Sequence, residues 1–205
     1  MAFSNFTLAS AATDFGLTLT GQSLFAGVPP VDSGEGVRHT LSTFGQLALG
    51  INTEKARSEW LIAPIFGELW YRGRNEIYVL SGVDFTVDKD AGLSGVVDFM
   101  VGRGPQLSFV FASPILAVVE AKNESIPNGQ GQCAAEMVAA QRFNRNAKTD
   151  IEAVYGVVTT GTTWKFHRLT GTTLAIDTRE YLISEVDQIL GILMHVVGLN
   201  PIPAS

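Results

Sequence analysis

The chain has 205 residues, of which 46% are apolar and 17% charged, and a formal net charge of −6. This composition supports a sizeable buried core in one domain and excludes a disordered or fibrous chain; with 21 glycines it fits an α/β or α+β protein. The acidic balance argues against broad electrostatic attraction to nucleic acid but leaves local basic patches open. The single cysteine, Cys133, excludes an internal disulfide and fits the reducing cytoplasm. No window reaches about 18 uninterrupted apolar residues, so no membrane span is expected. The first residues, Met1 to Asn5, lack the basic stretch of a signal peptide.

In chain order, Phe15–Thr20 alternates and predicts a short strand. Pro29-Pro30 through Gly36 reads as a turn-rich loop, and Leu41–Leu49 as a weak helix. Asn52-Thr53 offers a cap for a second helix running to about Tyr71, with Pro64 as a kink. Glu76–Val87 and Leu93–Val101 predict antiparallel strands joined at Asp88-Lys89-Asp90. Residues 107–121 predict one long strand, or two broken at Pro114. Pro127-Asn128-Gly129 then reads as a turn, followed by a helix from Gln132 to about Asn146. Ala153–Thr159, Thr163–Leu169 and Thr173–Ile176 complete the predicted strands. A last helix starts at Ser184-Glu185-Val186-Asp187, carries Val186, Ile189, Leu190, Leu193 and Val197 at helical spacing, and stops at Gly198.

Two of these strands carry charge where apolar residues are expected. Ile115–Val119 ends in Glu120-Ala121-Lys122, and Asp98 interrupts the apolar run from Val96 to Val101. Side chains alternate across a strand, so Glu120 and Lys122 share a face about 6.6 Å apart. Charged groups sit among buried strands only when paired or when holding a metal. Two acids beside one lysine suit metal-dependent phosphodiester hydrolysis, with the acids on a hard cation and the lysine near the phosphate or the attacking water. Asp84 competes with Asp98, because Ser81-Gly82-Val83-Asp84-Phe85 nearly repeats the segment from Ser94 to Phe99. Chain order favours Asp98, which lies in the strand immediately before that of Glu120.

Asp98 followed by Glu120-Ala121-Lys122 resembles the signature of the PD-(D/E)XK nuclease superfamily. Ser58-Glu59-Trp60-Leu61-Ile62-Ala63-Pro64-Ile65 is similar to the acidic first core helix of that superfamily, as in the nuclease domain of type I restriction enzyme motor subunits. Gln132 follows Lys122 by ten residues, as in members with a glutamine after the lysine, and Val157 to Trp164 resembles the strand and turn beyond that helix. The likeness spans roughly Thr53 to Leu169. It departs at Val97, where a proline is typical, and at Glu136, where some relatives have tyrosine.

The resemblance implies a three-layer α/β core with a central mixed sheet flanked by helices. Residues 53–198 would form it, with 1–52 as an N-terminal extension packed against it in a single domain. It implies Mg²⁺, or Mn²⁺, held by Asp98, Glu120 and the Ala121 carbonyl, with Glu59 supporting a second ion. Lys122 would orient or help deprotonate water, and Gln132 would position water or backbone. DNA is the implied partner, and a homodimer or a larger restriction or repair assembly the implied working unit. Arg142 and Arg145, with Arg72 and Arg74, are candidate phosphate contacts. The alternative is a catalytically silent module of the same fold that binds DNA or protein. Two residue pairs also have an ordinary surface reading: Glu59 lies four residues after Lys55, and Gln132 and Glu136 share a helix face.

Overall fold

Among the described residues, the apolar runs that read as strands pair with neighbours within a single sheet. A computed structural model describes residues 2–106, 112–149 and 151–199. Its strands are β1 (Thr18–Gln22), β2 (Ile77–Asp84), β3 (Val96–Arg103), β4 (Ile115–Ala121), β5 (Val154–Thr159), β6 (Thr163–Thr170), β7 (Thr173–Asp177) and β8 (Tyr181–Leu182). The eight strands run in the order β1-β7-β6-β5-β4-β3-β2, with β8 beside β6. β1 is parallel to β7 and β4 to β5; the other pairs are antiparallel. The protein is therefore α/β, with an open mixed central sheet flanked by helices.

The helices are α1 (Leu8–Asp14), α2 (Gly34–Ile51), α3 (Glu54–Arg57), α4 (Ala63–Gly73), α5 (Ile126–Asn146) and α6 (Val186–Val197). One face of the sheet buries Phe99, Val119, Val157 and Trp164 against Phe66 of α4 and Ile189 and Leu193 of α6. The other buries Met100, Val118 and Val158 against Cys133 and Met137 of α5 and Phe6 before α1. Burying such side chains contributes roughly 1.5–3 kcal/mol each. Glu120 and Lys122 alternate with Val119 and Ala121, so they emerge on the α5 face.

Several boundaries differ from expectation for local reasons. The predicted strand at Phe15–Thr20 shifts to Thr18–Gln22, where β1 joins the sheet alongside β7. Residues 1–52 thus supply an edge strand as well as packing. The seven-residue α1 has no strong periodicity; a reciprocal capping box between Thr7 and Ser10 starts it. The weak helix at Leu41–Leu49 extends over the whole of α2, and left-handed Asn52 ends it. Thr53 caps α3 as expected, its hydroxyl accepting from the Ala56 N–H at 3.1 Å. The proline inside that helix is absorbed by one π turn, Ser58–Ile62, in which the Ala63 N–H reaches back to the Ser58 carbonyl. Pro64 then stands in the first turn of α4, where its missing N–H costs nothing.

Pro127-Asn128-Gly129 is no turn, because α5 already begins at Ile126. Proline is favourable in a first helical turn, and the glycines serve close approach. A Cβ at Gly131 would overlap the Phe6 carbonyl and Thr7, and one at Gly129 would lie 2.6 Å from Val158 Cγ1. The strand predicted over 107–121 is described only from Ile115 on, just after Pro114; residues 107–111 lie outside the described residues. Among the described residues, no helix is long and apolar enough to cross a membrane.

Candidate active site

The β3–β4 ladder delivers the first two candidates to one place. Its last paired residues are Phe99 and Val119, so the next step outward sets Asp98 opposite Glu120. Residues so opposed carry their side chains on one face, with Cβ atoms about 4.5–5.5 Å apart. There the ladder changes character: the Ala121 N–H donates to Asp98 Oδ2 at 2.7 Å instead of to a backbone carbonyl. The N–H and C=O of one strand residue point to the same side. The Ala121 carbonyl therefore faces the Asp98 side, while on the opposite side the Lys122 N–H continues the ladder to the Thr159 carbonyl at 2.8 Å. Asp84, the competing acid, lies exposed on edge strand β2 and accepts from the Thr86 hydroxyl.

Lys122 and Gln132 complete the cluster. The Lys122 ammonium pairs with Glu120 Oε1. Gln132 Nε2 donates to Glu120 Oε2 at 2.7 Å and to Glu136 Oε1 at 3.1 Å, while Gln132 Oε1 lies 3.5 Å from Lys122 Nζ. Gly129 makes this possible, since its missing Cβ would sit 3.1 Å from Lys122 Cγ and 3.3 Å from Glu120 Cγ. The first turn of α5 is thereby laid directly on the end of β4.

The electrostatics follow from burial. Glu120 is 1% exposed. Burial, then the charge of Asp98, pushes its carboxyl up to about 7 despite Lys122. Burial also raises Asp98, against the Ala121 N–H and Lys122. Glu136 is wholly buried, and burial followed by the Glu120 charge holds it well above the usual carboxylate range. Among the described residues, no donor reaches its Oε2. Lys122 is raised: burial works against its charge, but Glu120, Glu54 and Asp98 together outweigh burial. An acid-rich pocket with one fixed ammonium is the outcome.

Glu59 does not join this cluster. It extends toward solvent and pairs with Lys55 at 2.7 Å, the ordinary i, i+4 surface arrangement. The acid of this segment that faces the site is Glu54, in the first turn of α3, 4.0 Å from Lys122 Nζ and electrostatically coupled to Asp98. The Thr53 cap is the sequence signal for it: a capped helix start beside a strand end presents its first-turn acid, not one a turn later.

The arginine candidates stand elsewhere. Arg142 pairs with Asp88 at 2.7 Å and lies over the Phe15 ring. Arg142 and Arg145 are ten or more residues beyond Gln132, about 15–20 Å along the helix. That end of α5 is anchored to the far end of β4, where Asn144 hydrogen-bonds both the N–H and the carbonyl of Ile115 at 2.8 Å. Arg72 holds Glu68 and the Asp32 carbonyl, and Arg74 lies over Tyr71. Both stand roughly 27–30 Å along the helical segment from Glu54. The guanidinium beside the site is instead that of Arg57, which donates to the Thr160 carbonyl at 2.8 Å and to Asn52 Oδ1. Arg57, Asn123, Thr160 and Thr162, together with the acids Glu124 and Glu180, border a polar groove of about 300 Å³.

Asp98, Glu120 and the Ala121 carbonyl form an all-oxygen donor set of the kind that suits a hard cation. Among the described residues, no group of three or more His, Cys, Asp or Glu side chains is arranged to hold a metal. A cation held here would thus depend on one backbone carbonyl beside the two carboxyl groups. No protein-family model matches the chain, and no curated protein matches it either.

Proposed function

We propose that this protein is a Mg²⁺-dependent nuclease that hydrolyses DNA phosphodiester bonds, acting in the cytoplasm. The observation that carries the reading is the convergence of Asp98, Glu120, Lys122 and Gln132 at the end of β3 and β4. Neither strand needs a charge there for folding, and burying Glu120 beside the partly buried Asp98 and Lys122 is costly.

Asp98 and Glu120, with the Ala121 carbonyl, would hold the cation. When bound, Mg²⁺ supplies Lewis-acid stabilisation of phosphate charge and lowers the pKa of a bound water. Lys122 is kept protonated by its acidic neighbours, so its ammonium serves to orient the attacking water and to offset charge at the phosphate. Gln132 holds Lys122 and Glu120 together. Glu54 adds negative charge at the outer side of Lys122 and takes the supporting part assigned by sequence to Glu59.

One observation favours the silent-module reading: both Glu120 oxygens are already engaged, one by Lys122 and one by Gln132. Cleavage of single- and double-stranded DNA with Mg²⁺ and with Mn²⁺, using Lys122→Ala as control, separates the two. Metal-dependent products that disappear in the variant support the nuclease, and no product under any divalent ion leaves the module.

A further inference from the structure

A buried acid that the proposed reaction does not use lies one helical turn beyond Gln132. Glu136 is fully buried and has no cation partner among the described residues, and its Oε2 is left without a hydrogen bond. For stability alone the position favours an apolar side chain, because a buried polar group is costly where its hydrogen bonds are not all made. Its one side-chain donor is Gln132 Nε2, at 3.1 Å.

The Gln132 amide has two ends of nearly equal shape and opposite polarity. Around it stand Glu120 and Glu136, each with a carboxyl oxygen that accepts from the Gln132 nitrogen, and one ammonium that only donates. With its nitrogen toward Glu120 and Glu136 and its oxygen toward Lys122, every contact is favourable. Turned over, the oxygen would face two carboxyls and the nitrogen an ammonium. Glu120 also binds Lys122, so it orients the amide only in part; Glu136 supplies the second acceptor, from the same helix as Gln132.

We infer that Glu136 is a positioning residue, which fixes the direction of the Gln132 amide and through it the placement of Lys122 against Glu120. The inference rests on the nuclease reading for its effect on cleavage, but not for its effect on Gln132.

The test uses the full chain with Glu136→Leu, which removes the acceptor at similar volume, and Glu136→Gln, which keeps an acceptor for Gln132. Side-chain amide signals of Gln132, assigned by comparison with Gln132→Leu, report its orientation without any need for activity. In the wild type these protons should exchange slowly and resonate away from free glutamine. Glu136→Leu should retain the melting temperature or raise it, return the signals toward free glutamine, and lower cleavage about 10–100-fold, the usual effect of losing a supporting hydrogen bond. Glu136→Gln should restore both. Wild-type amide protons that behave as free glutamine, a Leu variant with unchanged Gln132 signals, or a Gln variant that fails to restore them would each overturn the inference. An inactive wild type with ordered Gln132 signals removes the nuclease reading and leaves the positioning role standing. If the Leu variant does not fold, the wild-type exchange and the Gln variant still decide.

Discussion

Ala121 donates its N–H to the carboxylate of Asp98 at 2.7 Å, just where the β3–β4 ladder ends. A side chain thus takes the place of a backbone partner and locks the acid beside the carbonyl of the residue between Glu120 and Lys122. Removing Asp98 should cost both the cation site and this fixed geometry. Calorimetry with Mn²⁺ should show binding in the wild type that Asp98→Ala abolishes, with Asp98→Asn also strongly weakened, since it keeps the shape but not the charge. Equal affinity in all three proteins would sink the metal assignment.

Lys122→Ala should eliminate cleavage while the protein still binds Mn²⁺. The ammonium pairs with Glu120 Oε1 and contributes no ligand atom. Burial already raises Glu120 and Lys122 opposes that rise, so Glu120 should titrate still higher in the variant. Its Mn²⁺ binding should therefore require a higher pH than in the wild type. A variant that cleaves normally would show that Lys122 only balances charge.

The strands were legible in the sequence because long apolar runs dominate them, and so were Asp98, Glu120 and Lys122, because charges interrupt those runs. Helix starts were less legible. Gly129 and Gly131 read as turn residues, yet they sit inside α5 so that strand and N-terminal segment can approach it, and only tertiary packing reveals this. Glu59 and Glu54 lie five residues apart in one polar stretch, and which of them faces the sheet depends on the cap at Thr53 and the π turn at Ser58–Ile62. Arg142 and Arg145 stand on the same helix as Gln132, but the 21-residue length of α5 carries them to the other end of the sheet.

Arg142→Ala should leave DNA affinity and its salt dependence unchanged. The guanidinium is paired with Asp88 and packed on Phe15, both far from the acidic cluster. The loss should appear in stability instead, about 1 kcal/mol for a half-exposed pair with a cation–π contact. Filter-binding titrations over a salt series, together with urea melts, separate the two effects. A slope reduced by about one unit would restore the arginine as a phosphate contact.

Gly129→Ala sets helix propensity against packing. Alanine gains about 1 kcal/mol in a helix interior. Its methyl would lie 2.6 Å from Val158 Cγ1 and 3.1 Å from Lys122 Cγ, and overpacking of this kind costs roughly 1–3 kcal/mol. Packing should win, and the displaced start of α5 should carry Gln132 away from Glu120. Cleavage should fall more steeply than stability; a more stable, fully active variant would show that the close approach is not needed.

His167 should govern a loss of stability in mild acid. It lies on β6, 2% exposed, with Nε2 3.4 Å from Gln130 Nε2. Burial, reinforced by the charge of Lys165, pushes it down to about 3. In the unfolded chain it should titrate near 6.5. Between these values the unfolded state binds a proton that the folded state refuses, so stability present above about pH 6.5 is lost as pH falls toward 3. From pH 7 to pH 5 the loss should be about 2 kcal/mol. Glu120 and Glu136 act in the opposite sense: their raised folded values make the protein lose stability as pH rises above the ordinary carboxylate range. The wild-type curve mixes the two, so the measurement is the difference between wild type and His167→Gln in urea melts at pH 7, 6 and 5. That difference should shrink by about 2 kcal/mol toward pH 5, because the variant carries no imidazole to protonate. A difference constant across the three pH values would mean that His167 already accepts a proton in the folded protein.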